Sequence, residues 1–200
     1  HTKMNTSGLK DEGSEDSVQG ALYGSWNNPD GRWYTDLALA YSRNSYETTR
    51  CIDFGGIRRQ ARASYNGHDI SGYLEGGYRL FVNTGAFNIT PYASLLALKN
   101  HRDGFTETGA DPLNLEVGAA STTSLQGSLG ARLAREFMMD KDSGFSLTPQ
   151  ISGRWIHEFG DNTSSIDARF AGAPSGSFTV SSDAQDRNSG RSEERRVGKE

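Results

Sequence analysis

The chain has 200 residues, is 34% hydrophobic and 23% charged, and carries a net charge of −4 with a mean hydropathy of −0.67. No apolar run approaches the roughly 18 residues of a helical span, so an α-helical membrane protein is excluded, and the acidic balance gives no reason for a nucleic-acid partner. The single cysteine, Cys51, has no internal disulfide partner, and no paired CxxC pattern marks a metal site.

Residues 1–16 read as a polar loop or linker. Residues 18–26 alternate poorly and are read as a strand from their place before a turn-forming piece at 27–31. In 33–42, Trp33, Leu37, Leu39 and Tyr41 share one parity, and Tyr34, Asp36, Ala38, Ala40 and Ser42 the other. That is period two, one face greasy and one small or polar. Residues 73–82 repeat it, with Leu74, Tyr78, Leu80 and Val82 against Tyr73, Glu75, Gly77 and Arg79. Residues 89–98 form a weaker strand after a turn at 83–86. In 125–137, Leu129, Ala131, Leu133 and Phe137 oppose Arg132 and Glu136, and Arg135 breaks the pattern. After a turn at 140–144, Phe145, Leu147, Ile151, Trp155 and Phe159 oppose Gln150, Ser152, Arg154 and Glu158.

Long polar stretches at 44–68, 100–123 and 160–185 read as loops. Six strands of about ten residues, with short turns at one end and long loops at the other, fit a bacterial outer-membrane β-barrel. Low hydropathy is no objection, because a barrel strand hides only every second residue in lipid. On this reading Trp26, Trp33, Tyr34, Phe81, Phe87, Phe137 and Phe145, all beside short turns, form an aromatic girdle. Asp36, Glu75, Arg79, Arg132, Glu136, Arg154 and Glu158 face a wet lumen. The same parity describes the solvated face of a soluble β-sandwich binding module, and the strand pattern alone leaves both open.

Longer motifs carry a resemblance. In order along the chain stand L-Y-G-S-W (22–26), G-Y-L-E-G-G-Y-R (72–79), T-P-Y-A-S-L (90–95), D-G-F-T-E-T-G-A (103–110), L-N-L-E-V (113–117), S-L-G-A-R-L (128–133), L-T-P-Q-I (147–151), W-I-H-E-F-G-D (155–161) and F-A-G-A-P-S-G-S-F-T-V (170–180). Over about residues 16–182 the chain resembles the autotransporter β-domain family. The resemblance implies an all-β, antiparallel meander belonging to a twelve-stranded outer-membrane barrel. Its fourth to ninth strands would be present here as an open curved sheet spanning 17–187, with the remaining strands outside the chain. It implies export or display of an N-terminal passenger joined by a linker helix in the lumen, in contact with outer-membrane lipid, the barrel assembly machinery and periplasmic chaperones. Pro29, Gly85 and Gly144 would mark the periplasmic rim, and Gly55, Gly104 and Gly172 the outer one. A general porin or receptor barrel is the alternative within membranes.

The end, R-S-E-E-R-R-V-G-K-E (191–200), resembles a translated sequencing-adapter oligonucleotide, so 188–200 reads as an artefactual, disordered tail. Catalysis and cofactors find no support. His157-Glu158 lacks the second histidine of HExxH, no G-x-S-x-G elbow is present, and Glu75-Gly76-Gly77 opens no helix. Asp103, Glu107 and Asp111 read as a solvated loop and not as cation ligands, and His101 with Asp103 only faintly suggests an outer-membrane protease.

Overall fold

A computed structural model describes every residue except 1, 6–10, 83–86, 139–145, 161, 162, 164, 174, 183–185 and 200. The strands are β1 (Thr2–Asn5), β2 (Glu12–Asn27), β3 (Trp33–Phe54), β4 (Ile57–Tyr78), β5 (Leu80–Val82), β6 (Phe87–Arg102), β7 (Phe105–Thr106) and β8 (Leu115–Val117). They continue with β9 (Ala120–Ala134), β10 (Phe137–Met138), β11 (Ser146–Glu158), β12 (Ser165–Phe170), β13 (Ser177–Ser181) and β14 (Asn188–Lys199), and a 3₁₀ turn covers Asp111–Leu113. The main sheet runs β1-β2-β3-β4-β6-β9-β11, with β10 and β14 on β11 and β5 on β6. Its pairings are all antiparallel, so the large strands form a meander, open among the described residues. All six strands expected from the sequence are there, as β2, β3, β4 with β5, β6, β9 with β10, and β11.

They are longer than expected, and this corrects the loop reading. The stretch 44–68 is no loop: β3 and β4 stay paired over 22 residues each, up to Phe54 opposite Ile57. Gly55 and Gly56 close the hairpin with φ of +57° and +80°. Left-handed backbone at both turn residues suits the twist of paired strands, and glycine adopts it without strain. Period two fades from the sequence there because the formerly greasy parity turns polar (Glu47, Thr49, Gln60, Arg62) while the other is mixed (Tyr46, Arg50, Ile52, Ala61), and backbone pairing does not depend on polarity. The other two long connections are also structured, as a second sheet of order β13-β12-β8-β7. At the two ends, residues 2–5 pair with the start of β2, and 188–199 pair with β11 along twelve residues.

The expected turn at 27–31 has Gly31 at φ +68°, its N–H donating to the Asn28 carbonyl at 2.9 Å. The expected turns at 83–86 and 140–144, with Gly85, Gly144 and Phe145, lie outside the described residues.

The burial is inside-out. Leu37, Leu39, Tyr41, Ile70, Leu74, Leu95, Leu129, Ile151, Trp155 and Phe159 share one face, and each is close to half exposed (Leu129 59%, Trp155 49%). The opposite face closes over itself, with Tyr34, Glu75, Tyr92, Ser94 and Ser128 all buried. A sandwich must cover its greasy face with a second sheet, yet here that face is bare among the described residues. Apolar area of this extent on a soluble monomer would be unusual.

Among the described residues one compact apolar cluster, Ile52, Ala61 and Ala110 with Leu113 against it, lies where 103–119 folds onto the β3–β4 hairpin. Arg50 clasps this segment, donating from Nε and Nη2 to Glu107 at 3.1 and 2.5 Å and from Nη2 to the Leu113 carbonyl at 2.9 Å. Asp111 pairs with Arg59, and Asp103 lies 3.4 Å from His101. The three loop carboxylates therefore go to three different bases. Tyr65 stacks on Phe105 (centroids 4.2 Å) and Tyr46 (5.1 Å), and burial pushes its hydroxyl above its ordinary pKa. Glu107→Ala should therefore raise protease cleavage within 103–119 by about tenfold or more, since such charge-assisted bonds contribute about 1.5–3 kcal/mol. Heat-modifiable migration of the folded protein should stay unchanged, and equal cleavage rates in a time course would show the clasp to be idle.

Candidate functional site

The chemistry sits on the buried polar face. One row crosses five strands in register: Tyr34 (β3), Gly77 (β4), Tyr92 (β6), Gly130 (β9) and Arg154 (β11). Each tyrosine ring lies over a glycine on the next strand. A Cβ at Gly77 would stand 2.5 Å from the Tyr34 hydroxyl and 2.6 Å from its Cζ; one at Gly130 would stand 2.6 Å from Tyr92 Cζ. Missing side chains thus let the rings lie flat along the wall.

The next positions hold a charge cluster. Glu75 is 3% exposed, and its carboxylate accepts from the Tyr34 hydroxyl (2.8 Å), the Tyr73 hydroxyl (2.5 Å) and Arg132 Nη2 (2.7 Å). Arg132 Nη1 also donates to the Tyr34 oxygen at 2.7 Å, and its Cζ lies 4.1 Å from the Tyr92 ring centroid. A carboxylate removed from water is stable only when paired and fully hydrogen-bonded, and here three side chains from three strands satisfy it. Ser94 and Ser128 bond each other at 2.6 Å on the same face.

Of the expected lumen residues, the structure brings Glu75 and Arg132 together. Arg79 faces the same way but points to the first turn, donating to Asn27 Oδ1 (2.9 Å) and the Gly31 carbonyl (2.7 Å), with Cζ 4.9 Å from the Tyr34 ring centroid. Asp36 accepts from Ser25 Oγ at 2.5 Å, and Arg154 is 3.9 Å from Glu193 on β14. Glu158 anchors the end of β11, accepting from Ser124 Oγ and from the N–H groups of Leu125 and Gly160. Glu136 is exposed between β9 and β10.

The expected girdle divides. Trp26, Trp33, Phe87 and Phe137 lie on the greasy parity; Trp33 packs on Tyr78 at 4.7 Å. Tyr34 does not belong with them. It is 5% exposed and bonded to Glu75 and Arg132, because neighbours in a strand must face opposite ways. Phe81, opposite Asn88, is on the polar parity too, though 56% exposed at the strand end. Tyr73 and Gly77 were read on the polar parity without a role, and Tyr92 and Gly130 were not singled out by sequence reasoning.

A family model, the autotransporter beta-domain, matches residues 1–193. The chain belongs to the autotransporter β-domain family. It is 25% identical over 189 residues to outer membrane protein A of Rickettsia rickettsii and 24% identical over 189 residues to that of Rickettsia conorii. Each alignment covers 90% of this chain but 8% and 9% of those proteins, so the chain spans a small part of the curated relatives it matches. The crystal structure of the β-domain of the Bordetella autotransporter BrkA superposes with a TM-score of 0.57 at 21% identity, covering 98% of this chain and 72% of that one. An autotransporter β-domain is an outer-membrane translocator barrel. The antiparallel meander is the wall of such a barrel. The match also runs past both ends of the resembling stretch first identified, into β1 and β14.

Proposed function

We propose that the buried polar face lines the water-filled lumen through which an N-terminal passenger segment leaves the cell, its linker helix resting afterwards against the charges of that face. The reversal of faces in a chain of this family carries the reading: paired charges on one side, bare leucines and tryptophans on the other. The work is passage and not catalysis. The tyrosine rings and the Glu75–Arg132 pair hold the wall in shape, while Asp36 and Arg154, lightly held, present charge to whatever passes. In this reading the turn at Pro29 faces the periplasm, and the hairpin tip at Gly55 and the loops at Gly104 and Gly172 stand outside. The barrel assembly machinery and periplasmic chaperones would deliver the chain.

The test is surface display. In the full-length protein, Asp36→Asn with Arg154→Gln should lower the rate at which an epitope upstream of the chain becomes protease-accessible on intact cells, by about three- to tenfold. The amount of heat-modifiable barrel should not change. Display at the unaltered rate would remove the lumen role from this face.

A further inference from the structure

Arg135, between β9 and β10, breaks the greasy parity that Leu129, Ala131, Leu133 and Phe137 share, and the lumen reading gives it no task. It faces outward: Leu133, Arg135 and Phe137 continue one register opposite Ile151, Pro149 and Leu147. Its Cζ lies 4.7 Å from the Phe87 ring centroid and 4.5 Å from that of Phe137, so rings from two strands hold the guanidinium. Along the strand, Leu133 opposite Ile151 flanks Arg135 on one side and Phe137 opposite Leu147 on the other. The side chain is exposed, and no carboxylate pairs with it among the described residues.

Each fact narrows the purpose. A guanidinium beside a lipid-facing apolar belt is costly unless it reaches polar groups at the interface. Ring contacts favour the cation by its flat face, and they leave the N–H edge, which matches a phosphate's two oxygens, free to donate. The aromatic rings also restrict the side chain before anything binds, which reduces the ordering cost of binding. The apolar belt beside it (Leu133, Ile151) suits acyl chains attached to that phosphate.

We propose that Arg135, held by Phe87 and Phe137, binds the phosphate of a glycerophospholipid headgroup in the periplasmic leaflet. This rests on the orientation given above, in which the short turns face the periplasm. A lipid phosphate here would anchor the barrel at its inner rim.

The full-length protein, extracted from outer membranes in mild detergent, is titrated with dioleoyl phosphatidylglycerol and with dioleoylglycerol, which has the same tails and no phosphate. Bound lipid is read by native mass spectrometry. Arg135→Gln should weaken phosphatidylglycerol binding about tenfold and leave dioleoylglycerol unchanged, as loss of a charge-assisted bidentate contact predicts. Arg135→Lys, which keeps the charge for assembly but loses the fork, should fall between, and it carries the test if Arg135→Gln does not assemble. Unchanged phosphatidylglycerol binding, or equal loss of both lipids, overturns the proposal. In a third titration with lipopolysaccharide, a loss confined to that lipid also overturns it, because it would place Arg135 in the outer leaflet. Passenger display measured on the same variants stays normal if only the lipid site is lost, which separates this result from a failure of the lumen reading.

Discussion

Arg132→Met should destabilise the folded barrel by about 3–5 kcal/mol, the cost of leaving a buried carboxylate without its counter-charge. Glu75 cannot turn to water to escape, being 3% exposed and held by Tyr34 and Tyr73. The tyrosine hydroxyls remain as donors in the variant, but they carry no charge. Glu75→Leu combined with Arg132→Met should be milder than Arg132→Met alone, because it removes the stranded charge as well as its partner. The measurement is urea unfolding of the full-length protein in lipid vesicles, followed by tryptophan fluorescence. A loss below about 1 kcal/mol for Arg132→Met would mean that water reaches Glu75 and that the cluster behaves as an exposed ion pair.

How much of this was legible in the sequence depends on the kind of contact. The parity of Trp33 and Tyr34, or of Leu74 and Glu75, fixes which face each residue takes, because a strand turns over with every residue. That was enough for six strands and for two faces of opposite character. It should also have removed Tyr34 from the girdle, since position beside a turn cannot override parity. The partner of Glu75 was not legible. Arg79 shares its face, but four residues of strand separate them by about 13 Å, too far for an ion pair. Arg132 lies 57 residues away in sequence, and only the register of β4 on β6 and of β6 on β9 brings the two together. The strand extensions at 44–68 were hidden for another reason. Hydrophobic alternation reports a difference of surroundings between the two faces, and where polar residues such as Glu47, Thr49, Gln60 and Arg62 take over the greasy parity that signal is gone while the hydrogen-bonded ladder continues.

Gly77→Ala should cost about 1–3 kcal/mol by overpacking, although glycine is ordinarily the poorer strand residue. Its φ is not in the left-handed region, so backbone strain has no part in the effect; the added Cβ simply falls into the Tyr34 ring. Removing the ring should therefore remove the penalty. In a cycle of Gly77→Ala, Tyr34→Leu and the double variant, the pair should couple by about 1–3 kcal/mol, with alanine harmless or favourable once leucine replaces the ring. Gly130 gives the contrasting case. A Cβ there meets Tyr92 Cζ at 2.6 Å and also the Gly153 carbonyl of β11 at 2.8 Å. Tyr92→Leu should thus rescue Gly130→Ala only in part, since a backbone oxygen in a paired strand cannot move aside as a side chain can. Folded fractions from heat-modifiable migration across a urea series would measure both cycles. Additive effects at Gly77 and Tyr34 would show that the ring does not rest on the glycine, and full rescue at Gly130 would show that β11 yields more easily than its pairing with β9 implies.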